Sequence, residues 1–199
     1  MIDIRKLTPE LVEDYIGFFD VTPHNHRYNG AKCYCVYWCS GVDEEANFST
    51  KAARRDYAIQ AVKDGRIQGY LAYRGDEVVG WCNANAKSAC LKCKGWQMMN
   101  GKRKGFIPTE EATPQVRVKS VFCFTIAPKA RRQGVATELL ARVCQDAAQE
   151  GFDFVEAYPD REVTDNAEDF VGYAQMYLRQ GFEVYHETNR KRVMRKPLR

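Results

Sequence analysis

A short run in the middle of the chain combines the residue types that bind phosphate groups. Residues 131–136, Arg-Arg-Gln-Gly-Val-Ala, follow an apolar segment and open a stretch with a helical pattern. The first N–H groups of a helix have no partner within the helix, and the helix dipole favours negative charge there. Gly134 lets a ligand approach the backbone because it has no Cβ, while Arg131 and Arg132 add planar cationic donors. The pattern Arg-x-x-Gly-x-Ala therefore predicts a diphosphate site, although it matches neither common nucleotide-binding glycine motif.

The elements that must position this site are a buried strand before it and an amphipathic helix after it. Residues 121–126 are mostly apolar on both faces, which is typical of a strand covered on both sides. Pro128 ends the strand, and from Val135 apolar residues recur at helical spacing up to Gly151, the expected helix end. The pattern predicts a strand, a tight turn and a helix.

The rest of the chain predicts a mixed α/β sheet in a single domain, residues 1–199. Two β-rich runs flank a turn at Gly75 and Asp76, which indicates a hairpin. The predicted strands are 2–5, 68–74, 78–85, 121–126, 152–158, 182–186 and 192–195, and the predicted helices are 9–19, 47–64, 135–150 and 169–180. Segments 20–48 and 86–115 break the pattern; within the first, the cysteine- and aromatic-rich run 33–39 fits either a strand or a loop that covers a pocket.

The strand, the Arg-x-x-Gly-x-Ala turn and the helix together resemble the acetyl-CoA motif of the GNAT N-acetyltransferase superfamily. The order of predicted elements is similar to that family over nearly the whole chain. A second signature, Tyr-x-x-x-Gly-Phe, is matched by Tyr177, Gly181 and Phe182. The chain departs from the family seven residues before Tyr177, where Phe170 replaces a frequent Asn. The resemblance implies an α/β fold with a mixed, mostly antiparallel central sheet flanked by helices.

The resemblance also implies that acetyl-CoA is the co-substrate and that its acetyl group moves to a primary amine by direct attack. The turn and the first turn of the helix would bind the diphosphate. A backbone N–H near the end of the central strand would stabilise the oxyanion that forms on the thioester. The residues expected to contact the cofactor are Phe124, Thr125, Ile126, Arg131, Arg132, Gln133, Gly134, Val135, Ala136 and Thr137.

The reaction includes two proton transfers, and side chains are candidates for the donor in one and the acceptor in the other. Tyr177 occupies the family position that often protonates the leaving thiolate, and Tyr173 could share or take this role. The attacking amine must lose a proton, directly to a base or through water. Glu156, near the end of the strand after the central helix, is the first candidate base, with His24 or His26 as alternatives.

The acceptor is expected to be a small-molecule or peptide amine bound by segments 20–48 and 86–115, because loops on a rigid scaffold carry specificity. The first segment contains Tyr34, Tyr37 and Trp38 beside the two histidines. These aromatic residues could form an acceptor site or could serve only in packing.

Eight cysteines leave two interpretations open. Cys90 and Cys93 could combine with two of Cys33, Cys35 and Cys39 in a structural zinc site, or all could be buried reduced thiols, which is the default. Cys123 has no evident His or Asp partner, so we interpret it as a packing residue. The alternative functions are a zinc-bearing nucleic-acid-binding protein and a GNAT-like protein that binds CoA without catalysis.

Bulk properties favour a globular protein located in the cytoplasm. A net charge of +4 suits an anionic small ligand and does not by itself indicate nucleic acid. No apolar run reaches the ~18 residues of a membrane span, and the N-terminus lacks the pattern of a signal peptide. Assembly as a homodimer stays open.

Overall fold

The computed structural model describes residues 1–22, 32–100, 115–162 and 170–199. The strands in this part of the chain are β1 (Asp3–Lys6), β2 (Gly69–Arg74), β3 (Glu77–Ala86), β4 (Val118–Ile126), β5 (Phe154–Ala157), β6 (Glu183–Glu187) and β7 (Arg192–Pro197). The α-helices are α1 (Val12–Val21), α2 (Lys51–Lys63), α3 (Lys87–Cys90), α4 (Lys94–Met99), α5 (Val135–Gln149) and α6 (Ala174–Arg179). The strands form one seven-stranded sheet in the order β1-β2-β3-β4-β5-β7-β6.

Helices cover both faces of this sheet. Successive residues of a strand point to opposite faces, and two neighbours in β3 show what lies on each side. The ring of Trp81 packs edge-on against Tyr15 of α1, with ring centroids 4.8 Å apart. Its neighbour Gly80 lies beneath Val135, the first residue of α5. The sheet is therefore the middle of three layers, and α5 begins directly over β3.

The central strand β4 is paired along its length on one side only. It runs antiparallel to β3 from Lys119 to Ile126, but its parallel pairing with β5 ends at Val121 and Ala157. Every other strand pair in the sheet is antiparallel. The predicted mixed, mostly antiparallel sheet is confirmed, and the second half of β4 has an edge that β5 does not cover.

The predicted elements are present, with shifted boundaries. The predicted helix 47–64 begins only at Lys51, because Thr50 caps it: the Thr50 hydroxyl accepts a hydrogen bond from the Ala53 amide at 3.1 Å. The predicted helix 169–180 is shorter, spanning Ala174–Arg179. A local hydrogen bond, which an apolar pattern does not encode, sets the start of α2.

The two irregular segments contain structure that the pattern did not predict. The run 33–39 is a turn with a 3-10 helix at Val36–Trp38, because Tyr34 and Cys35 have positive φ angles of 48° and 52° that no strand allows. In the second segment, α3 and α4 follow β3 directly.

The close contact between β3 and α5 gives a first testable prediction. A Cβ on Gly80 would lie 2.9 Å from Val135 Cγ1 and 3.1 Å from Ile126 Cδ1. We expect Gly80→Ala to lower the free energy of unfolding by about 1–3 kcal/mol, because the start of α5 must move away from the sheet. Urea denaturation measures this. The matched control is Gly17→Ala in α1, where a Cβ meets nothing within 4 Å; equal stability of both variants would contradict the close packing.

In the described part of the chain, no helix combines the length and the apolar character that crossing a membrane requires.

Candidate functional site

The turn between β4 and α5 has the backbone geometry of an anion site. Arg132 and Gly134 both have positive φ angles, 58° and 81°. A left-handed conformation is uncommon for a residue with a side chain, and such positions cluster at functional sites. Turns of this kind direct successive N–H groups toward one point and bind anions. Gly134 is also the N-cap of α5, and no side chain caps the first turn.

A cavity of about 550 Å³ opens at this turn. It joins the end of β4, the turn, the first residues of α5 and the segment leading into α6. Its lining residues are Phe124, Thr125, Ile126, Ala130, Arg131, Arg132, Gly134, Val135, Ala136, Thr137, Phe170, Gly172, Tyr173, Met176 and Arg179. The size is ordinary for a small-molecule site, and the arginines make an anionic ligand the best match.

Nine of the ten predicted cofactor residues line this cavity, and Gln133 does not. The Gln133 side chain instead accepts a hydrogen bond from Arg74 at 2.8 Å and donates one to the Lys129 carbonyl at 2.7 Å. Arg131 is fixed by its own hydrogen bond, from Nε to the Ile126 carbonyl at 3.2 Å. Arg179 is the cavity-lining cation that sequence reasoning missed, and no motif pointed to it.

The uncovered edge of β4 faces the cavity. The Ala127 amide donates to Val79 in β3 at 2.9 Å, so by strand alternation the Ile126 amide points to the opposite side. The Phe124 amide points to that side too and donates to the Phe170 carbonyl at 2.5 Å. One of the amides predicted to stabilise the oxyanion, that of Phe124, already donates to a protein carbonyl. The Ile126 amide faces the same edge of β4 and is the candidate donor.

The two candidate tyrosines have different environments. Tyr173 is 44% exposed and lines the cavity, whereas Tyr177 is 0% exposed and lies behind that wall. The Tyr177 hydroxyl donates to the Val171 carbonyl at 2.6 Å. Sequence spacing suggested two tyrosines one helical turn apart, but α6 begins only at Ala174 and Tyr173 is its N-cap. The two side chains therefore do not share a helix face.

Glu156 lies in a buried, ion-paired cluster and does not line the cavity. Its Oε2 is 2.8 Å from Lys87 Nζ, and its Oε1 accepts from Arg195 Nε at 2.6 Å. The Tyr158 hydroxyl also donates to Oε2, at 3.0 Å, and lies 2.7 Å from Ser120 Oγ. Both carboxylate oxygens are engaged by cations. The sequence did not indicate this cluster, because its members lie far apart along the chain.

Because this cluster is buried, we predict that replacing Glu156 lowers the free energy of unfolding. Removing one partner of a buried ion pair typically costs about 3–5 kcal/mol. We expect Glu156→Gln to cost less, about 2 kcal/mol, because Lys87 and Arg195 have other partners as well. The control is Glu77→Gln, which removes a carboxylate paired with Lys129 where both side chains are more than half exposed, and it should cost at most about 1 kcal/mol. Equal losses in urea denaturation would contradict a structural role for Glu156.

The candidate acceptor residues are only partly described. His24 and His26 lie outside the described residues. Tyr34 is buried, and its hydroxyl donates to Asp20 at 2.5 Å; burial and then this hydrogen bond raise its pKa above the usual range. The Trp38 ring is stacked on Phe122 with centroids 4.2 Å apart. For Tyr34 and Trp38 the observed contacts are those of packing residues.

All eight cysteines are free thiols. Among residues 1–22, 32–100, 115–162 and 170–199, no three His, Cys, Asp or Glu side chains are grouped so that they could hold a metal ion. The zinc site considered from the cysteine spacing has no support in this part of the chain. Cys123 is buried, and its thiol lies 3.6 Å from the Phe124 carbonyl.

The sequence matches the model of the Acetyltransferase (GNAT) family over residues 31–182, which is more than half of the chain. The chain belongs to this family. The family assignment confirms the enzyme class that the sequence predicted, an acyltransferase that uses acetyl-CoA and acetylates amines.

Solved structures of acetyltransferases share the fold. The PaiA N-acetyltransferase of Thermoplasma acidophilum, in complex with coenzyme A, is 15% identical, with a TM-score of 0.54 and 99% of each chain covered. The ribosomal-protein-alanine N-acetyltransferase of Brucella melitensis is 16% identical, with a TM-score of 0.52, covering 98% of this chain and 99% of its own. The Drosophila melanogaster polyamine N-acetyltransferase is 14% identical, with a TM-score of 0.53 and 98% of each chain covered. No curated protein matches the sequence.

Proposed function

We propose that the protein transfers the acetyl group of acetyl-CoA to a primary amine of a small molecule or peptide by direct attack. The observation that carries the proposal is a single cavity that joins the N-terminus of α5 to the uncovered edge of β4. These are the two features that the reaction needs: a diphosphate site and a strand amide beside the thioester. The CoA complex of a similarly folded acetyltransferase supports the same ligand.

The backbone from Gln133 to Thr137 binds the diphosphate in this proposal. Amides at the start of α5 donate to its oxygens, and the helix dipole adds to the attraction. Arg131 and Arg132 line the same cavity and contribute positive charge. Gln133 contributes through its backbone, because its side chain is bonded elsewhere.

The chemical step takes place at the edge of β4. The amine nitrogen attacks the thioester carbon, and the Ile126 amide stabilises the negative charge that forms on the carbonyl oxygen. When the tetrahedral intermediate collapses, Tyr177 donates its proton to the CoA thiolate, which requires its hydroxyl to leave the Val171 carbonyl and to reach the cavity from behind the wall. Water in the cavity takes the amine proton, because Glu156, the base that the sequence suggests, is buried outside the cavity with its carboxylate oxygens bonded to Lys87 and Arg195.

Two measurements test the proposal. Calorimetry with acetyl-CoA is expected to show saturable binding with one ligand per chain. A thiol-release assay with aminoglycoside antibiotics, polyamines, amino acids and peptides is then expected to show at least one amine that raises the rate above the amine-free background. Binding without amine-stimulated release for any compound would favour the non-catalytic CoA-binding alternative. Absence of binding would refute the whole proposal.

A further inference from the structure

The acetyl-CoA cavity ends partway along the edge of β4. Among the described residues, its lining begins at Phe124 and includes no earlier residue of β4 and no residue of β5. The segment 170–172 lies at this end, because the Phe124 amide donates to the Phe170 carbonyl at 2.5 Å. The backbone of this segment therefore takes the place next to β4 that β5 leaves open after Val121.

Packed side chains close this end of the cavity. Phe124 and Phe170 both line it; Phe124 is buried, and Phe170 packs against the main hydrophobic core. Gly172 is buried against α6, where a Cβ would lie only 2.9 Å from Met176 Cε. Because protein interiors are close-packed, a wall of this kind yields little to a group that is pressed against it.

The acyl group of the cofactor points toward this wall. Because α5 follows the end of β4, a cofactor with its diphosphate at the start of α5 runs back along β4 to the Ile126 amide. Carbons beyond the thioester carbonyl then continue toward Phe124, two residues and about 7 Å further along the strand. An acetyl group is much shorter than this interval. A hexanoyl chain is about as long as the interval, so its last carbons would meet Phe170.

We propose that Phe170 restricts the acyl donor to short chains, so that acetyl-CoA fits the cavity and hexanoyl-CoA does not. This limit depends on the proposed position of the thioester at the Ile126 amide. Phe170 is a specificity-determining residue: its side chain lies where a longer chain would extend, and it takes no part in the proton transfers. Pressing extra methylene groups against a packed wall should weaken binding about 10- to 100-fold, as overpacking a core would.

The test compares the dissociation constants of acetyl-CoA, butyryl-CoA and hexanoyl-CoA, measured by calorimetry on the native full chain without an acceptor amine. Acetyl-CoA should bind at least about tenfold more tightly than hexanoyl-CoA, with butyryl-CoA between them. Equal dissociation constants for all three would overturn the proposed limit and leave the proposed function intact. If none of the three binds, the proposed function itself is refuted, and the limit with it.

A variant of Phe170 assigns the limit to this side chain. Phe170→Ala removes the ring and keeps the carbonyl that pairs with the Phe124 amide. It should bind hexanoyl-CoA about tenfold more tightly than the wild type does, while its dissociation constant for acetyl-CoA changes less than about threefold. A preference for acetyl-CoA that persists in folded Phe170→Ala would mean that another group sets the limit.

The matched control is Phe154→Ala. Phe154 is also partly buried, but it does not line the cavity, and its ring lies 4.7 Å from the Arg195 guanidinium. This variant should keep the wild-type preference for acetyl-CoA. Where Phe170→Ala folds poorly, Phe170→Trp tests the same wall in the opposite direction, because a larger ring should exclude butyryl-CoA as strongly as hexanoyl-CoA. Unchanged binding of butyryl-CoA by Phe170→Trp would contradict the assignment.

Discussion

We expect Gly134→Val to weaken acetyl-CoA binding at least about 100-fold, because a side chain would occupy the approach to the first amides of α5. Each hydrogen bond to a charged group contributes about 1.5–3 kcal/mol, and the loss of two corresponds to this change or more. In the protein itself a Cβ at this position meets nothing within 4 Å. The loss of affinity would therefore come from the ligand rather than from internal crowding. Calorimetric titration with acetyl-CoA measures it.

The control for backbone strain is Gly65→Val. Gly65 follows α2, has a φ of 67°, and has equally open space around its Cβ position. Both substitutions force a branched residue into the left-handed region, at a cost of about 1–2 kcal/mol in stability. Only the substitution at Gly134 should change affinity. A similar loss of affinity in both variants would mean that the effect arises from stability and not from the diphosphate site.

Tyr177→Phe is expected to lower kcat about 100-fold or more while the dissociation constant of acetyl-CoA changes less than about threefold. The reason is that the hydroxyl is needed when the thiolate leaves and not when the cofactor binds. The substitution also removes the hydrogen bond to the Val171 carbonyl, at a cost of about 1 kcal/mol in stability. The thiol-release assay, with the fastest amine of the panel, gives the rate.

The matched comparison is Tyr173→Phe. Tyr173 lines the cavity and is 44% exposed, so it tests the competing assignment. We expect its kcat to fall by less than about threefold. The reverse pattern, with a large loss at Tyr173 and little at Tyr177, would move the acid role to the exposed tyrosine. Equal small effects would exclude both as essential proton donors.

The strand, turn and helix around Gly134 were predictable because three local signals coincide there. A continuous apolar run predicts a buried strand, and Pro128 and Gly134 mark the turn that follows it. After Val135, apolar residues recur at regular helical spacing. Each signal depends on neighbouring residues only. The same holds for the hairpin turn at Gly75, which β2 and β3 confirm.

The environment of Glu156 was not predictable for the opposite reason. Its partners Lys87 and Arg195 lie 69 and 39 residues away in sequence, and nothing local marks them as a cluster. Lysine is almost never fully buried unless it is paired, so the 0% exposure of Lys87 becomes intelligible only once Glu156 is placed beside it. In the sequence, a carboxylate at the end of a strand looks the same whether it contacts a substrate or forms a buried ion pair.

The left-handed conformation of Arg132 is a second feature that the sequence does not encode. The motif predicts a glycine at the start of the helix, but a positive φ at an arginine is rare and depends on the hydrogen bonds of the whole turn. Arg131, bonded to the Ile126 carbonyl, and Gln133, bonded to Lys129, hold the residues on either side. The backbone of the turn is therefore shaped by contacts beyond the six-residue motif.

The most direct test of the central claim is a crystal structure of the protein with acetyl-CoA. We predict that the diphosphate oxygens accept hydrogen bonds from the backbone amides at the start of α5, next to Gly134, and that the thioester lies beside the Ile126 amide on the uncovered edge of β4. A complex in which the diphosphate lies elsewhere, or in which the cavity at the turn stays empty at saturating acetyl-CoA, would contradict the account.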